Sequence, residues 1–173
     1  MKALAAIAIF ALGSGHCFAA APRLHVVKTM TLAASAAKVW KVTKDFDGLN
    51  TWHPAVAKDE IVEGKNNTVG AVRVLTLKDG GTVKERLLAY DAAGHGYKYS
   101  ILDGVIPVSG YTATFVVKAA GKGKATATWS SSFKRKNLGR NPADNENDQT
   151  AVATISGIFQ AGLDNLKTMV EAK

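Results

Sequence analysis

From Leu24 to Leu32 the chain runs Leu-His-Val-Val-Lys-Thr-Met-Thr-Leu, β-branched and partly alternating, which predicts a strand. Ser35 follows as a helix cap. Ala36, Val39, Trp40, Val42, Thr43 and Phe46 then fall around one partly apolar face, until Asp47-Gly48 breaks the pattern. Leu49 to Pro54 predicts a short turn or helix stopped by the proline. Beyond it the period changes to two, with strands near residues 56–63, 69–78, 82–91, 96–103, 108–119 and 124–134. The separators carry turn chemistry: Gly64-Lys65-Asn66-Asn67, Lys78-Asp79-Gly80-Gly81, Asp91-Ala92-Ala93-Gly94, Asp103-Gly104 with Pro107, and Gly121-Lys122-Gly123. Links this short force antiparallel neighbours, because a parallel pair needs a crossover of roughly a dozen residues or more.

A polar, mixed-charge stretch from Lys134 to Asp148 predicts a solvated loop whose acidic end suits the positive end of a helix dipole. Val152, Ile155, Phe159, Leu163, Leu166 and Val170 then recur at three- and four-residue steps, with Ile158 and Met169 widening the stripe. The pattern defines an α+β domain: a curved seven-stranded antiparallel sheet around a long C-terminal helix, with two short helices after the first strand. Such a sheet does not seal against one helix, so a pocket remains between them. Gly157 and Gly162 inside the helix, each costing about 1 kcal/mol relative to alanine, point to close approach or room there.

At the N-terminus Lys2 precedes an uncharged run from Ala3 to Leu12, followed by small residues up to Ala21. That is the order of a secretory signal peptide, so residues 1–21 are expected to be a leader cleaved near Ala19 to Ala21, and 22–173 a single domain in the periplasm or outside the cell. The apolar run is shorter than the roughly 20 residues of a membrane helix, and no stable membrane anchor is expected. The only cysteine, Cys17, lies in the leader, preceded by His16 where a lipoprotein signal needs a small residue. Its removal leaves no disulfide or thiolate chemistry. The 22 basic against 14 acidic residues favour acidic partners, while export and the scatter of the charges argue against nucleic acid.

Glu85 is in phase with Val83 and Leu87 and should face the apolar side, where a carboxylate needs a partner or a shifted pKa. Two readings stand side by side: a polar anchor inside the cavity, or a pairing with Arg73 or another base that merely stabilises the sheet. His53, between Trp52 and Pro54, is either a group at the cavity mouth or a structural histidine. Tyr97, Tyr99, Tyr111 and Trp129 offer flat walls with polar tips, and serve equally well as core. Phe159 and Leu163 belong to the helix stripe facing the same space. His25, His53 and His95 are dispersed without metal-ligand spacing, and no nucleophile elbow, phosphate loop or triad is present, so no catalytic residue, metal or cofactor is assigned. A cyclase or hydratase using Glu85 and His53 as acid and base is a weaker alternative.

In order along the chain, Trp52-His53-Pro54, Gly70 to Leu77, Asp79-Gly80-Gly81, Glu85-Arg86-Leu87, Asp91, Tyr99-Ser100-Ile101, Pro107-Val108 with Tyr111, Trp129, and Ala161 to Lys167 resemble the START/Bet v 1-like superfamily, in its polyketide cyclase/dehydrase-like and abscisic-acid-receptor-like branch. The resemblance covers nearly all of residues 22–173. It implies the helix-grip fold and a cavity for a small hydrophobic molecule, hence a periplasmic carrier. It also implies a gate loop over Lys78 to Thr82, containing Asp79, Gly80 and Gly81, and a latch loop over Asp103 to Pro107, containing Gly104 and Pro107. The gate is shorter than the receptors' loop, and Trp52 stands where they place a lysine for their ligand's carboxylate, so recognition of that hormone is not implied. Exported superfamily members of this size include accessory proteins of periplasmic methanol oxidation, which implies a second role beside a dehydrogenase and its acidic cytochrome c partner.

Overall fold

The computed structural model describes residues 21–172, so the expected leader lies, but for its last residue, outside the described residues. The strands are β1 (Leu24–Leu32), β2 (Val56–Glu63), β3 (Val72–Leu77), β4 (Thr82–Asp91), β5 (Gly96–Gly104), β6 (Val108–Ala119) and β7 (Ala125–Arg135). They form one open seven-stranded sheet in the order β1-β7-β6-β5-β4-β3-β2, antiparallel throughout. Helix α1 (Ala36–Thr43) and a 3-10 turn (Leu49–Thr51) follow β1, and α2 (Asp148–Glu171) closes the chain. This is the α+β helix-grip fold expected from the pattern.

Two boundaries differ from expectation. β3 begins at Val72 and not near residue 69, because Gly70 takes a positive φ of 93° and the Ala71 N–H turns back onto Thr68 O. The polar stretch before α2 is not uniform loop but contains a 3-10 turn at Asp144–Glu146.

Alternation decides which face is covered. In β7, Ala125, Ala127, Trp129, Ser131 and Phe133 point inward while Thr126, Thr128, Ser130 and Ser132 point out. The α2 stripe of Ala151, Ile155, Phe159, Leu163, Leu166 and Val170 packs into the inward face, and Phe159 stacks on Trp129 at 4.5 Å and 10°. Both helices begin as their sequences suggest: Ser35 Oγ accepts from Lys38 N, and Asn147 Oδ1 accepts from Thr150 N. Arg135 at the end of β7 reaches Asp148 in the first turn of α2 at 2.7 Å, which fixes where the helix enters.

The β2–β3 turn does more than reverse the chain. Asn66 pairs with the Asp47 backbone N–H and carboxylate, and Asn67 accepts from Phe46 N while donating to Asp45 Oδ1. The two asparagines therefore clamp the segment between α1 and the 3-10 turn, on which one wall of the interior depends.

The two helix glycines separate. A Cβ on Gly162 would lie 2.7 Å from His53 Cδ2 and 3.0 Å from Trp129 Cζ3, whereas one on Gly157 would meet nothing within 4 Å. Close approach accounts for Gly162, and the structure offers no packing reason for Gly157. Gly162→Ala should destabilise by about 1–3 kcal/mol and Gly157→Ala stabilise by about 0.5–1 kcal/mol in urea unfolding. Equal effects of the two substitutions would contradict this packing.

Candidate functional site

A hollow of about 80 Å³ survives between the sheet and α2. Since one water needs about 10–15 Å³ on this measure, it has room for a few waters or one small organic molecule. Its wall is apolar for the most part: Leu75, Leu77 and Val83 from β3 and β4, Ile101 and Ile106 from β5 and the turn after it, and Ile155, Ile158 and Phe159 from α2. Leu49, Ala55 and Val56 from the segment before and at the start of β2, with His53, Glu85, Tyr99, Tyr111 and Trp129, complete it.

The other residues singled out in the sequence lie elsewhere. Trp52 is buried against Trp129 and Phe115, each at 5.5 Å, and Tyr97 stacks on Phe115 at 5.6 Å. Leu163 is core, and Arg73 sits behind Glu85 rather than on the wall. In the expected gate, Asp79 Oδ1 accepts from Gly81 N, and Gly80 takes a φ of 89°. In the expected latch, Val105 N bonds Thr82 O and Pro107 O accepts from Lys136 N. The two loops therefore touch, and a Cβ on Gly81 would come within 2.9 Å of Val105. Asp79, Gly80, Gly81, Gly104 and Pro107 do not line the hollow; their neighbours Leu77, Val83 and Ile106 do.

Behind the wall lies a charge cluster. Arg73, only 1% exposed, stands directly opposite Glu85 across β3 and β4. Its Nε donates to Glu85 Oε2 at 2.8 Å, and its Nη2 lies 2.6 Å from the same oxygen. Nη1 donates to Asp59 Oδ2 at 3.1 Å and to Phe46 O. The guanidinium lies over the Phe46 ring, 4.1 Å from its centroid, with Tyr99 on another side. Glu85 thus pairs with Arg73 and also lines the hollow.

Asp59 is the member that the sequence did not reveal. Lying between Lys58 and Glu60 on an edge strand, it reads as solvent-facing, yet its side chain is fully buried. Its phase with Ile61 and its register opposite Leu75 were the available signal. Its Oδ2 also accepts from Leu49 N, while Oδ1 has no partner.

Burial dominates the titration of these groups. It raises Asp59 to about 6, against the opposing pull of Arg73, and it raises Glu85 as well. Burial also pushes the hydroxyls of Tyr97, Tyr99 and Tyr111 up, and Tyr99 accepts from Trp129 Nε1 at 2.9 Å. For Arg73 the cost of burial is more than reversed by Glu85 and Asp59, so it stays charged. Burial lowers His53, whose Nε2 donates to Ile158 O at 3.0 Å and whose Nδ1 accepts from Ala55 N at 3.2 Å. His53 is thereby a neutral imidazole with both nitrogens engaged. Among the described residues, no group of three or more potential ligands is placed to hold a metal.

The comparisons with known proteins agree with this architecture. The family model for polyketide cyclase/dehydrase and lipid transport matches residues 23–171, and the chain belongs to that family. Among solved structures, the chain is 28% identical to the protein XoxI from Bacillus cereus, with a TM-score of 0.74 over 84% of this chain and 94% of that one. An uncharacterised protein from Bacillus thuringiensis is 27% identical, with a TM-score of 0.75 over 86% of this chain and all of the other (100%). The ZhuI aromatase/cyclase from Streptomyces sp. R1128 is 21% identical, with a TM-score of 0.67 over 87% of this chain and 94% of that one, and shares the fold.

The raised Asp59 gives a signed expectation. The native state binds a proton more readily than the unfolded chain between pH 3.8 and about 6, so the penalty of burying this carboxylate is complete above pH 6 and relieved below it. His53 works the other way: stability falls as pH drops below its ordinary value of 6.5, because the unfolded chain protonates first. Comparing the protein with its Asp59→Asn variant cancels the histidine. The unfolding free energy of wild type relative to the variant should rise by on the order of 2 kcal/mol between pH 7 and pH 4.5. A pH-independent difference would mean that Arg73 keeps Asp59 ionised throughout.

Proposed function

We propose that this protein is a periplasmic carrier that holds a small, mostly apolar molecule between the sheet and α2. The observation that supports this most directly is the hollow itself: bulky aromatics crowd the interior, yet about 80 Å³ stays open behind an almost wholly apolar wall. Export is supported by the leader-like pattern of residues 1–21. No helix among the described residues is long and apolar enough to cross a membrane. Carriage without chemistry is supported by the state of the wall: both nitrogens of His53 are engaged by backbone, so it offers no free base, and Glu85 is tied to Arg73. Gate and latch, in mutual contact, make the side on which a ligand would enter and leave.

A second reading is favoured by the formal charge of +8. Exported superfamily members such as MxaD accompany a methanol dehydrogenase in the periplasm. A basic surface suits docking to an acidic cytochrome c, with an on-rate that falls as salt rises.

Native mass spectrometry of the protein isolated from its own host should show a retained small molecule that denaturation releases. A bare polypeptide mass, together with salt-sensitive capture of a dehydrogenase or c-type cytochrome, would replace the carrier reading with the accessory one.

A further inference from the structure

The hydrogen-bonding capacity of the wall is uneven. Among the residues lining the hollow the charged one is Glu85, an acceptor, while its counter-charge Arg73 is absent from the lining. Arg73 is turned away from the hollow, its Nε, Nη1 and Nη2 being engaged by Glu85, Asp59 and the Phe46 carbonyl. Both of its contacts with Glu85 fall on Oε2, so Oε1 of this lining residue is not engaged by Arg73. The cluster holds two carboxylates against one guanidinium, and the second carboxylate keeps an unpartnered oxygen, Asp59 Oδ1, in the interior.

The donors that could offset this are spent or turned elsewhere. His53 Nε2 gives its proton to Ile158 O, Trp129 Nε1 gives its proton to Tyr99, and the Tyr111 hydroxyl is hydrogen-bonded to Tyr99 and to Ser131. Trp52 Nε1 is buried without a partner, but Trp52 does not line the hollow.

Resting on the carrier reading above, we propose that the ligand is a molecule of about single-ring size that presents a hydrogen-bond donor, a phenol, alcohol or amine, to Glu85, and that the cavity rejects carboxylates. A donor head meets the carboxylate on the wall, and an amine also answers the surplus negative charge behind it. A carboxylate would be set beside like charge in a site with little water to screen it, with no free cation to receive it. The apolar remainder packs against aliphatic residues of the wall, among them Leu77, Val83, Ile106 and Ile158.

Four probes of one shape separate the possibilities: p-cresol, benzylamine, toluene and benzoate, titrated calorimetrically into the purified protein at pH 7. A hydrogen bond to a charged acceptor should make p-cresol and benzylamine bind about ten-fold or more tighter than toluene, with benzoate weakest. Benzoate binding as well as p-cresol would overturn the donor assignment and leave the carrier reading intact. Toluene matching p-cresol and benzylamine would do the same. Failure of all four to bind would remove the cavity reading and this inference together. Glu85→Gln, where circular dichroism shows it folded, should lose the preference for benzylamine over toluene; where it does not fold, the wild-type series decides.

Discussion

Arg73 is the residue whose demands organise the interior. A guanidinium taken out of water must find both charge and hydrogen-bond partners, and removing one such partner typically costs about 3–5 kcal/mol. Here the partners come from separate parts of the chain: Glu85 from β4, Asp59 from the edge strand β2, and a backbone carbonyl from Phe46, in the segment clamped by Asn66 and Asn67. One side chain thereby joins three strands to the connection between α1 and the 3-10 turn. The same bonds fix the orientation of Glu85 on the wall of the hollow.

On the opposite side the sheet meets α2 through aromatic contacts. Trp129 stacks on Phe159, meets Phe115 edge-on at 5.6 Å and 86°, and stands beside His53 at 6.0 Å. Gly162 permits this approach by leaving no side chain between α2 and the His53 and Trp129 rings. The price in capacity is plain: rings that might have lined a large cavity fill most of it, and Trp52 and Tyr97 are wholly interior. What remains is a hollow of about 80 Å³ with few polar atoms on its wall.

Much of this was legible in the chain because period two and period 3.6 leave different marks. The strands from β1 to β7 and the stripe of α2 follow directly from alternation and from turn residues at the breaks. Glu85 could be placed inward because Val83 and Leu87 flank it in phase, and both are buried with it. Asp59 could not, because a carboxylate between Lys58 and Glu60 looks solvated until Arg73 is seen to draw it in. Nor could the division of the aromatics into wall and filling be read, since Tyr97 and Tyr99 have the same phase and chemistry. Which of them reaches the hollow depends on curvature of the whole sheet, a property that no local pattern encodes.

The sheet is open, and its two outermost strands are β1 and β2. Unpaired peptide groups along such borders invite annealing to another molecule. β2 resists this through two irregularities in register and the outward charges Lys58, Glu60 and Glu63. β1 is straight and pairs without interruption, but its far end is tethered to the last turns of α2, where Glu171 accepts from Ala33 N and Lys167 reaches Thr31 O. The C-terminal turns therefore occupy two peptide groups at the end of β1, which fraying them would release to other partners.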